Sequence, residues 1–400
     1  MSSSGRFLYI KEFDLSVDNG PGINERECVK VFIEEYGEDV VCVAPYPKYP
    51  FKYMNPQIEY VFPHQSNPVF YPGFLAAVLL KVLKLHRIHR FKALIFRLGV
   101  LPIVPLVLNV ILRRPLILKT LDGYAIFGKK NRSWYLRVLS RVSLPIYKAV
   151  IKRAGAADTV SLGYLEWLDC HFGADREKLR LIPNGVNIQL FIPLDRKSCR
   201  AELGLERFTK VIGYVGALDA LRQIDDLIHA LKGLQDIGHA GLVLVGSGPS
   251  QTRLEGLAQS LDLESSVVFT GAIPYAEVPK YMNSFDIGVD LSLVPMQVDG
   301  KIIYASYSQK IPQYLSCGLP VIAWDTPDTQ FIRAERIGCI IPVGNIRDLG
   351  ETIRRALLMD PSEYTEMGLR ARKYAESNFS THVLAADRVR FWGRSLNPTV

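Results

Sequence analysis

Short runs of apolar residues alternate along the whole chain with longer stretches in which apolar positions recur three and four residues apart. The short runs predict buried strands, and the longer stretches predict amphipathic helices. Because strands and helices take turns throughout, the pattern indicates the α/β class with parallel sheets. The predicted strands cover residues 6–11, 39–44, 58–62, 94–97, 116–120, 156–161, 179–182, 209–215, 242–245, 267–270, 282–291 and 338–342, and the predicted helices cover residues 23–36, 74–90, 101–112, 132–154, 163–171, 224–234, 346–359, 364–378 and 381–394.

Residues 307–325 combine the features of a loop, a short helix and a strand. Polar residues crowd the start of the helix, Gly318 stops it, and Pro320 leads into an apolar strand. Unpaired N–H groups at the start of a helix favour an anion, and we expect Lys310 to add a mobile positive charge beside them. The stretch therefore predicts a phosphate site, although an ordinary loop–helix–strand unit of a sheet fits the same residues equally well.

Three glycine-bearing turns follow predicted strands in the second half of the chain, at Gly216, at Gly246 with Gly248, and at Gly271. Because parallel strands end at the same edge of a sheet, we expect these turns to build one crevice, which is where open α/β sheets bind ligands. Residues 294–306 are predicted to form a long loop, of the kind that often covers a ligand.

A weaker signal lies in the turn before the first helix, which carries Gly20 and Gly22. Backbone can approach a phosphate at such a turn. The turn lacks a full G-x-G-x-x-G pattern, so nicotinamide binding is poorly supported and a plain connector explains the residues as well.

The chain has 400 residues, of which 48% are hydrophobic, and it can therefore bury two cores. Its cysteines are scattered without a C-x-x-C pair, which predicts reduced core residues in a cytosolic protein. The polar first residues lead directly into a strand and predict no export signal. The apolar residues 98–112 hold two prolines and fall short of the roughly twenty residues that a membrane span needs. The cysteines are Cys28, Cys42, Cys170, Cys199, Cys317 and Cys339.

Positive charge is concentrated in the first half of the chain. Residues 1–190 hold 26 Lys and Arg against 16 Asp and Glu, and Asp122 is the only acid between residues 75 and 153. The predicted helix 74–90 carries Lys81, Lys84, Arg87 and Arg90 along one flank. This flank is either a face that rests on anionic lipid or the solvated side of a core helix. Nucleic acid is a weaker candidate partner, because no aromatic residues are interleaved with the charges.

The motifs taken together resemble those of the retaining glycosyltransferases of family 4, which have the two-domain GT-B fold. Lys310, Gln313 and the run from Ser316 to Ala323 match the donor-binding segment of that family. The turns at residues 183–187, 216, 246–249 and 271–274 match further motifs of the family, in the same order. The resemblance thus covers nearly the whole chain.

The resemblance implies an α/β fold with two Rossmann-like, doubly wound parallel-sheet domains that face each other across a cleft. It implies an acceptor-side domain at residues 1–190, a nucleotide-sugar-binding domain at residues 191–378, and a C-terminal helix at residues 379–400 that crosses back to the first domain. The acceptor-side domain is the basic one, which suggests a glycan or lipid-linked acceptor and a cytoplasmic protein that is peripheral on an anionic membrane surface.

The family also implies roles for individual residues. Arg222 and Lys310 are expected to stabilise the leaving diphosphate, Gln313 to hold the ribose, and Asp122 to face the donor sugar. Three positions depart from the family pattern: Ala217 replaces an Arg, and Ala305 and Gln313 each replace a Glu. The implied donor-binding residues are Gly20, Gly22, Gly216, Arg222, Gly246, Gly248, Gly271, Ile273, Ser308, Lys310 and Gln313.

The implied reaction is hexosyl transfer, as in polysaccharide biosynthesis, from a nucleoside-diphosphate sugar to a hydroxyl with retention at the anomeric carbon. A uridine donor is favoured because it is common in the family. The resemblance implies no dedicated metal site and no further cofactor, and the sequence has no H-x-x-x-H pattern that would contradict this. One alternative is a catalytically silent scaffold for an active transferase, which the three departures favour. Another is an epimerase or phosphorylase on the same fold.

Overall fold

The computed structural model describes residues 5–10, 20–47, 57–63, 71–98, 102–119, 134–234, 236–305 and 308–396. The chain divides into two compact units. The first unit contains Met1–Pro183, Met296–Ile302 and His382–Val400, and the second contains Asn184–Pro295 and Ile303–Thr381. Each unit holds one parallel sheet, so the predicted α/β class with two parallel-sheet domains is confirmed.

The first sheet has seven strands in the order β3-β2-β1-β4-β5-β6-β7, all parallel. Its central strands are apolar and buried on both faces, because helices cover each side of a parallel sheet. The strands are β1 (Phe7–Ile10), β2 (Val40–Tyr46), β3 (Ile58–Pro63), β4 (Ala93–Phe96), β5 (Leu116–Leu118), β6 (Ala154–Thr159) and β7 (Leu179–Leu181).

Five helices accompany the first sheet in the described residues. They are α1 (Gly20–Tyr36), α2 (Tyr71–His89), α3 (Ile103–Leu112), α4 (Trp134–Arg153) and α5 (Leu162–Phe172). The core on one side of the sheet joins Tyr9, Phe32 and Ile95 with Trp392 near the end of the chain. Helix α1 begins at Gly20, three residues earlier than predicted, so Gly20 and Gly22 lie in its first turn and not in a loop.

The second sheet has six parallel strands in the order β10-β9-β8-β11-β14-β15. Strand order reverses between β8 and β11, and such a switch point opens a crevice at the carboxyl edge of the strands. The strands are β8 (Lys210–Val215), β9 (Ala240–Val245), β10 (Val267–Gly271), β11 (Ile287–Asp290), β14 (Val321–Trp324) and β15 (Gly338–Ile341).

The helices that follow β7 are α6 (Arg196–Glu202), α7 (Ile224–Lys232), α8 (Gln251–Ser260), α9 (Val278–Ser284), α10 (Lys310–Ser316), α11 (Gln330–Ala334), α12 (Ile346–Leu357), α13 (Pro361–Asn378) and α14 (Thr381–Leu396). Side-chain oxygens fix several starts: Asp195 accepts from the Ser198 N–H before α6, and Asp360 accepts from the Ser362 N–H before α13.

Several expectations about the fold are wrong. Residues 282–284 do not belong to a strand, because α9 ends at Ser284 and β11 begins at Ile287. Residues 294–306 are not a structureless loop, because β12 (Val294–Val298) and β13 (Lys301–Ala305) pair as a two-stranded sheet. Cys170 is not a core residue, because it is exposed and its thiol donates a hydrogen bond to Asp299, with Sγ 3.1 Å from Oδ1. The cysteines are all free thiols. No helix in the described ranges is both long enough and apolar enough to cross a membrane.

Candidate active site

The glycine turns of the second domain meet at the carboxyl edge of its sheet. The Gly216 N–H donates to the Val245 carbonyl at 2.8 Å, and the Gly246 N–H donates to the Gly271 carbonyl at 3.0 Å. Gly246 has a φ of +133°, and a Cβ on it would lie 2.1 Å from the Gly216 oxygen. Only glycine therefore fits there, and the turns after β8, β9 and β10 form one continuous backbone surface.

The turn after β9 is packed against the turn after β8 at a second point. The Leu218 N–H donates to the Ser247 carbonyl at 3.0 Å, and the Ser250 N–H donates to the Leu218 carbonyl at 2.9 Å. A Cβ on Gly248 would lie 2.4 Å from the Leu218 oxygen. Gly246 and Gly248 are thus needed for close contact between the backbones of these two turns.

Lys310 reaches this edge from α10, but it is not mobile as predicted. It is 9% exposed, and its Nζ lies 3.1 Å from Asp290 Oδ1 and 2.8 Å from Ser292 Oγ. Its side chain also passes below Gly216, where a Cβ would approach the Lys310 Cε to 2.8 Å. The ammonium is therefore held at a fixed place beneath the first glycine turn.

Burial and charge act against each other in this ion pair. Burial lowers the pKa of Lys310, and the Asp290 carboxylate opposes that shift. Burial alone would raise the pKa of Asp290, but the Lys310 ammonium and the hydrogen bond from Ser292 bring that pKa below its ordinary value. Asp290 is therefore ionised at neutral pH and neutralises the predicted phosphate-binding charge.

Arg222 is the second predicted cation, and it lies in the turn between β8 and α7. Its Nε lies 3.4 Å from Asp219 Oδ2, and its side chain is 26% exposed. Burial is the main cause that lowers the pKa of Lys310, and the charge of Arg222 lowers it further. Arg222 is thus the more accessible of the two for a phosphate.

Gln313 and Ser308 also lie near the start of α10. The Gln313 amide is 8% exposed and donates from Nε2 to the Tyr275 hydroxyl at 3.3 Å. The Ser308 hydroxyl accepts from the Lys310 N–H at 3.0 Å and so occupies that orphan donor of the helix. Ile273 is half-buried against the second-domain core that also holds Tyr275. Gln313 therefore connects α10 with the loop after β10.

The structure reveals partners that sequence reasoning missed, namely Asp290, Ser292, Tyr214 and Tyr275. The Tyr214 hydroxyl donates to the Ala217 carbonyl at 2.9 Å, and its ring lies 5.3 Å from Lys310 Nζ. A signal for Asp290 was present in the sequence, because it is a carboxylate at the carboxyl end of an apolar strand.

In the first domain, Asp122 lies outside the described residues, and so do Thr120 and Leu121. Lys119, which follows β5, points inward. It is 1% exposed, and its Nζ and the Arg97 Nη1 each lie 3.1 Å from Glu25 Oε1. Burial lowers the pKa of Lys119 to about 8. Glu25 on α1 thus connects the ends of β4 and β5.

The structure places the predicted glycine turns, Arg222, Ser308, Lys310 and Gln313 around one edge of the second sheet. Gly22 is buried in the first turn of α1, in the other domain. In the described part of the chain, no three His, Cys, Asp or Glu side chains come together as a metal site. The second-domain edge is therefore a polar surface of backbone amides, two cations and their carboxylate partners.

The second domain is similar in sequence to known proteins. The family described as Glycosyl transferases group 1 matches residues 195–375. The D-inositol 3-phosphate glycosyltransferase of Nocardia farcinica is 29% identical over 213 residues, which cover 51% of this chain and 45% of the relative. That of Segniliparus rotundus is 25% identical over 237 residues, which cover 57% of this chain and 51% of the relative. The chain thus spans about half the length of the curated relatives it matches.

Solved structures extend the likeness to the whole chain at the level of the fold. Sucrose-phosphate synthase from Thermosynechococcus elongatus has a TM-score of 0.76 at 21% identity, with 99% of this chain and 100% of that chain covered. Anabaena HepE in complex with UDP has a TM-score of 0.71 at 17% identity, with 97% and 99% covered. Residues 195–375 therefore match the model of the group 1 glycosyl transferases, and the chain has the GT-B fold.

Proposed function

We propose that the protein is a retaining glycosyltransferase that moves a sugar from a UDP-sugar to a hydroxyl of a glycan or lipid-linked acceptor. The observation that carries the proposal is the meeting of three glycine turns with Arg222 and Lys310 at one edge of the second sheet. Glycine turns allow close approach of the backbone, and fixed cations stabilise the charge of a diphosphate. A uridine donor is supported by the neighbour HepE, which was solved with UDP and with UDP-glucose.

In the proposed reaction, the bond between the anomeric carbon and the donor diphosphate breaks while a bond to the acceptor oxygen forms. The acceptor proton goes to an oxygen of the leaving diphosphate, and the acceptor enters on the face that the diphosphate leaves. Negative charge grows on the diphosphate, so preorganised cations accelerate the step. We assign this role to Arg222 and Lys310, in place of a metal ion, and the ribose contact to Gln313. Asp122 would face the donor sugar.

Asp290 shapes the role of Lys310 in this proposal. The Asp290 carboxylate neutralises the Lys310 ammonium in this ion pair. As long as the pair is intact, Lys310 therefore presents little net positive charge to a phosphate. Arg222 is more exposed and is paired at the longer distance of 3.4 Å, so it would make the first contact with the diphosphate. Nucleotide affinity should therefore depend on Arg222 more than on the charge of Lys310.

The first test is thermal unfolding with UDP, GDP and ADP. A nucleotide at a hundred times its dissociation constant adds about 2.7 kcal/mol to the free energy of unfolding of the domain that binds it. We expect a rise in Tm with UDP, and we expect Arg222→Gln to remove it. Arg347→Gln is the matched control, because Arg347 is 88% exposed on α12 and the shift should persist.

Activity is tested by incubating the protein with UDP-sugars and candidate acceptors. The coupling constant of the anomeric proton in the product then reports whether configuration is retained. Inversion would contradict the retaining assignment, whereas a product that forms only in the presence of a divalent cation would contradict the metal-independent one.

A second function is favoured by one observation, namely that both predicted cations already face carboxylates while Ala217, Ala305 and Gln313 depart from the family pattern. The second candidate is therefore a catalytically silent GT-B protein that acts as a scaffold for an active transferase. Absence of a Tm shift with every nucleotide would favour the scaffold, and a shift with UDP would favour the enzyme.

We place the proposed reaction on the cytoplasmic side of a membrane, where a lipid-linked acceptor would be found. The basic first half of the chain supports this location, since it carries the net positive charge of the protein.

A further inference from the structure

Three neighbouring helices of the first domain form one layer. Helix α2 contacts α3, and α3 contacts α4. Burial lowers the pKa of His86 in the last turn of α2, and the charges of Arg114, which follows α3, and of Arg90 lower it further. We call the exposed side chains of α2, α3, α4 and residues 113–115 the basic helix surface.

Exposed apolar side chains are concentrated on the basic helix surface. Seven of the sixteen large hydrophobic residues that are exposed in the described part of the chain lie on these three helices. Leu80 on α2 is 69% exposed, and Val110 and Ile111 at the end of α3 are 52% and 54% exposed. Clustered apolar exposure of this kind marks a surface that another body covers.

The charges on the same surface have one sign. Lys84 and Arg87 are exposed on α2, Arg113 and Arg114 directly follow α3, and Lys148 is exposed on α4. Residues 73–119 and 134–153 contain no Asp or Glu. Lys81, which was expected on the same flank, instead pairs with Glu59 at 2.8 Å. Cations near helix C-termini stabilise the helix dipole, but that effect explains neither the missing acids nor the exposed Val110 and Ile111.

We propose that the basic helix surface docks on an anionic lipid bilayer. Aliphatic side chains such as Val110 and Ile111 would enter the boundary of the acyl chains, and the flanking Arg113 and Arg114 would pair with lipid phosphates. A nucleic acid would be recognised differently, since it needs aromatic side chains for base stacking, and the exposed large apolar residues whose burial is described on these helices are aliphatic. The inference goes beyond the proposed reaction and does not require that the protein be active.

The test is co-sedimentation of the full chain with vesicles of phosphatidylcholine, with and without phosphatidylglycerol, at about 0.15 M salt. We expect binding only to the anionic vesicles. Each cation at the surface contributes roughly fivefold to partitioning, so Arg113→Gln with Arg114→Gln should weaken binding about 25-fold. Val110→Ser with Ile111→Ser should weaken vesicle binding to a similar degree, because these variants lose the insertion of apolar side chains into the bilayer.

Matched controls lie on the second domain. Ile346→Ser with Leu358→Ser removes apolar side chains that are 41% and 63% exposed, and Arg333→Gln with Arg347→Gln removes two exposed cations. Both control pairs should bind vesicles like the unmodified protein. Equal losses in controls and test variants would overturn the proposal, as would a lack of binding to anionic vesicles.

A further result separates a bilayer from other polyanions. If the arginine pair is needed but Val110→Ser with Ile111→Ser binds normally, and duplex RNA competes with the vesicles, the surface recognises polyanions in general and the proposal is wrong. The Tm shift with UDP is measured on the same variants. Vesicle binding without a UDP shift would leave docking intact and contradict the proposed reaction, and a UDP shift without vesicle binding would contradict docking alone.

Discussion

At the scale of single residues, the site depends on where the countercharges lie. Lys310 was predicted from its position at the start of a helix, and the structure does place it at the carboxyl edge of the second sheet. Its partner Asp290 is twenty residues earlier in the chain, and the contact is made across two adjacent elements. Local sequence patterns contain no information about such a pairing, so mobility was the natural but wrong expectation.

Two aspartates, one just before β11 and one at its end, show a related limit of sequence analysis. Asp286 lies just before β11 and accepts from the Arg200 guanidinium and from the Val211 N–H at the amino end of the sheet. Asp290 lies at the carboxyl end, where ligands bind. The distinction depends on the bounds of β11, which the sequence placed only within residues 282–291.

We predict that Asp290→Asn lowers the free energy of unfolding of the second domain by about 3–5 kcal/mol, because it leaves the buried Lys310 ammonium without a countercharge. Urea unfolding monitored by circular dichroism measures the change. In the double variant Asp290→Asn with Lys310→Met, the loss should be smaller than in Asp290→Asn alone, since no buried charge remains unpaired.

Asp262→Asn is the control, because Asp262 is 94% exposed and its pair with Lys232 should contribute less than about 1 kcal/mol. The pH dependence gives a second check. The folded pKa of Asp290 is depressed, so its contribution is fully present above the unfolded pKa of about 3.9 and is lost as the pH falls through the folded value. The difference between the unmodified protein and Asp290→Asn should shrink over that acidic range. A constant difference would contradict the account.

At the scale of elements, most strands and helices followed from the hydrophobic periodicity, but α9 ends at Ser284, inside the predicted strand 282–291, and the hairpin was not predicted. Val294, Met296 and Val298 alternate with Pro295 and Gln297 across β12, which is the pattern of a half-buried strand. The turn that follows is Asp299-Gly300, with φ values of +47° and +77°. An Asp-Gly pair between alternating runs is a strong hairpin signal, so this element was predictable, and the proline in its first strand obscured it.

The glycine turns lead to a prediction at the same scale. Gly246→Ala should lower the free energy of unfolding by about 3 kcal/mol or more and remove the UDP shift, because its φ of +133° excludes a side chain and the added Cβ would collide with the Gly216 oxygen. Thermal unfolding with and without UDP measures both effects.

Gly256→Ala is the matched control. Gly256 lies inside α8, and a Cβ there would meet no atom within 4 Å. The substitution should raise the free energy of unfolding by roughly 0.5–1 kcal/mol and leave the UDP shift unchanged, because alanine is the better helix former. Equal effects at the two glycines would show that the close packing of the turns is not what the site requires.

At the scale of the whole molecule, the alternation of strands and helices was enough to predict two parallel sheets, whereas the contacts that complete each unit come from distant parts of the chain. The first unit includes His382–Val400. Within it, Arg388 of α14 faces Asp158 at the end of β6, with Nε 3.1 Å from Oδ2 and Nη2 3.3 Å from Oδ1. Both side chains are buried. The spacing of hydrophobic residues along the sequence does not indicate a contact between residues so far apart.

This pair makes the last helix a structural part of the first unit. Arg388→Met should lower the free energy of unfolding of that unit by about 3–5 kcal/mol, because it removes the guanidinium that faces both oxygens of the buried Asp158 carboxylate. Hydrogen exchange of the β1 and β4 amides measures the loss, and the UDP shift of the second unit should persist. Arg390→Met is the control, since Arg390 is exposed two residues further along the same helix and should change exchange little. Slow exchange at β1 and β4 in Arg388→Met would mean that the first unit keeps its stability without this ion pair, and that the apolar packing of Val389 and Trp392 alone holds the helix in place.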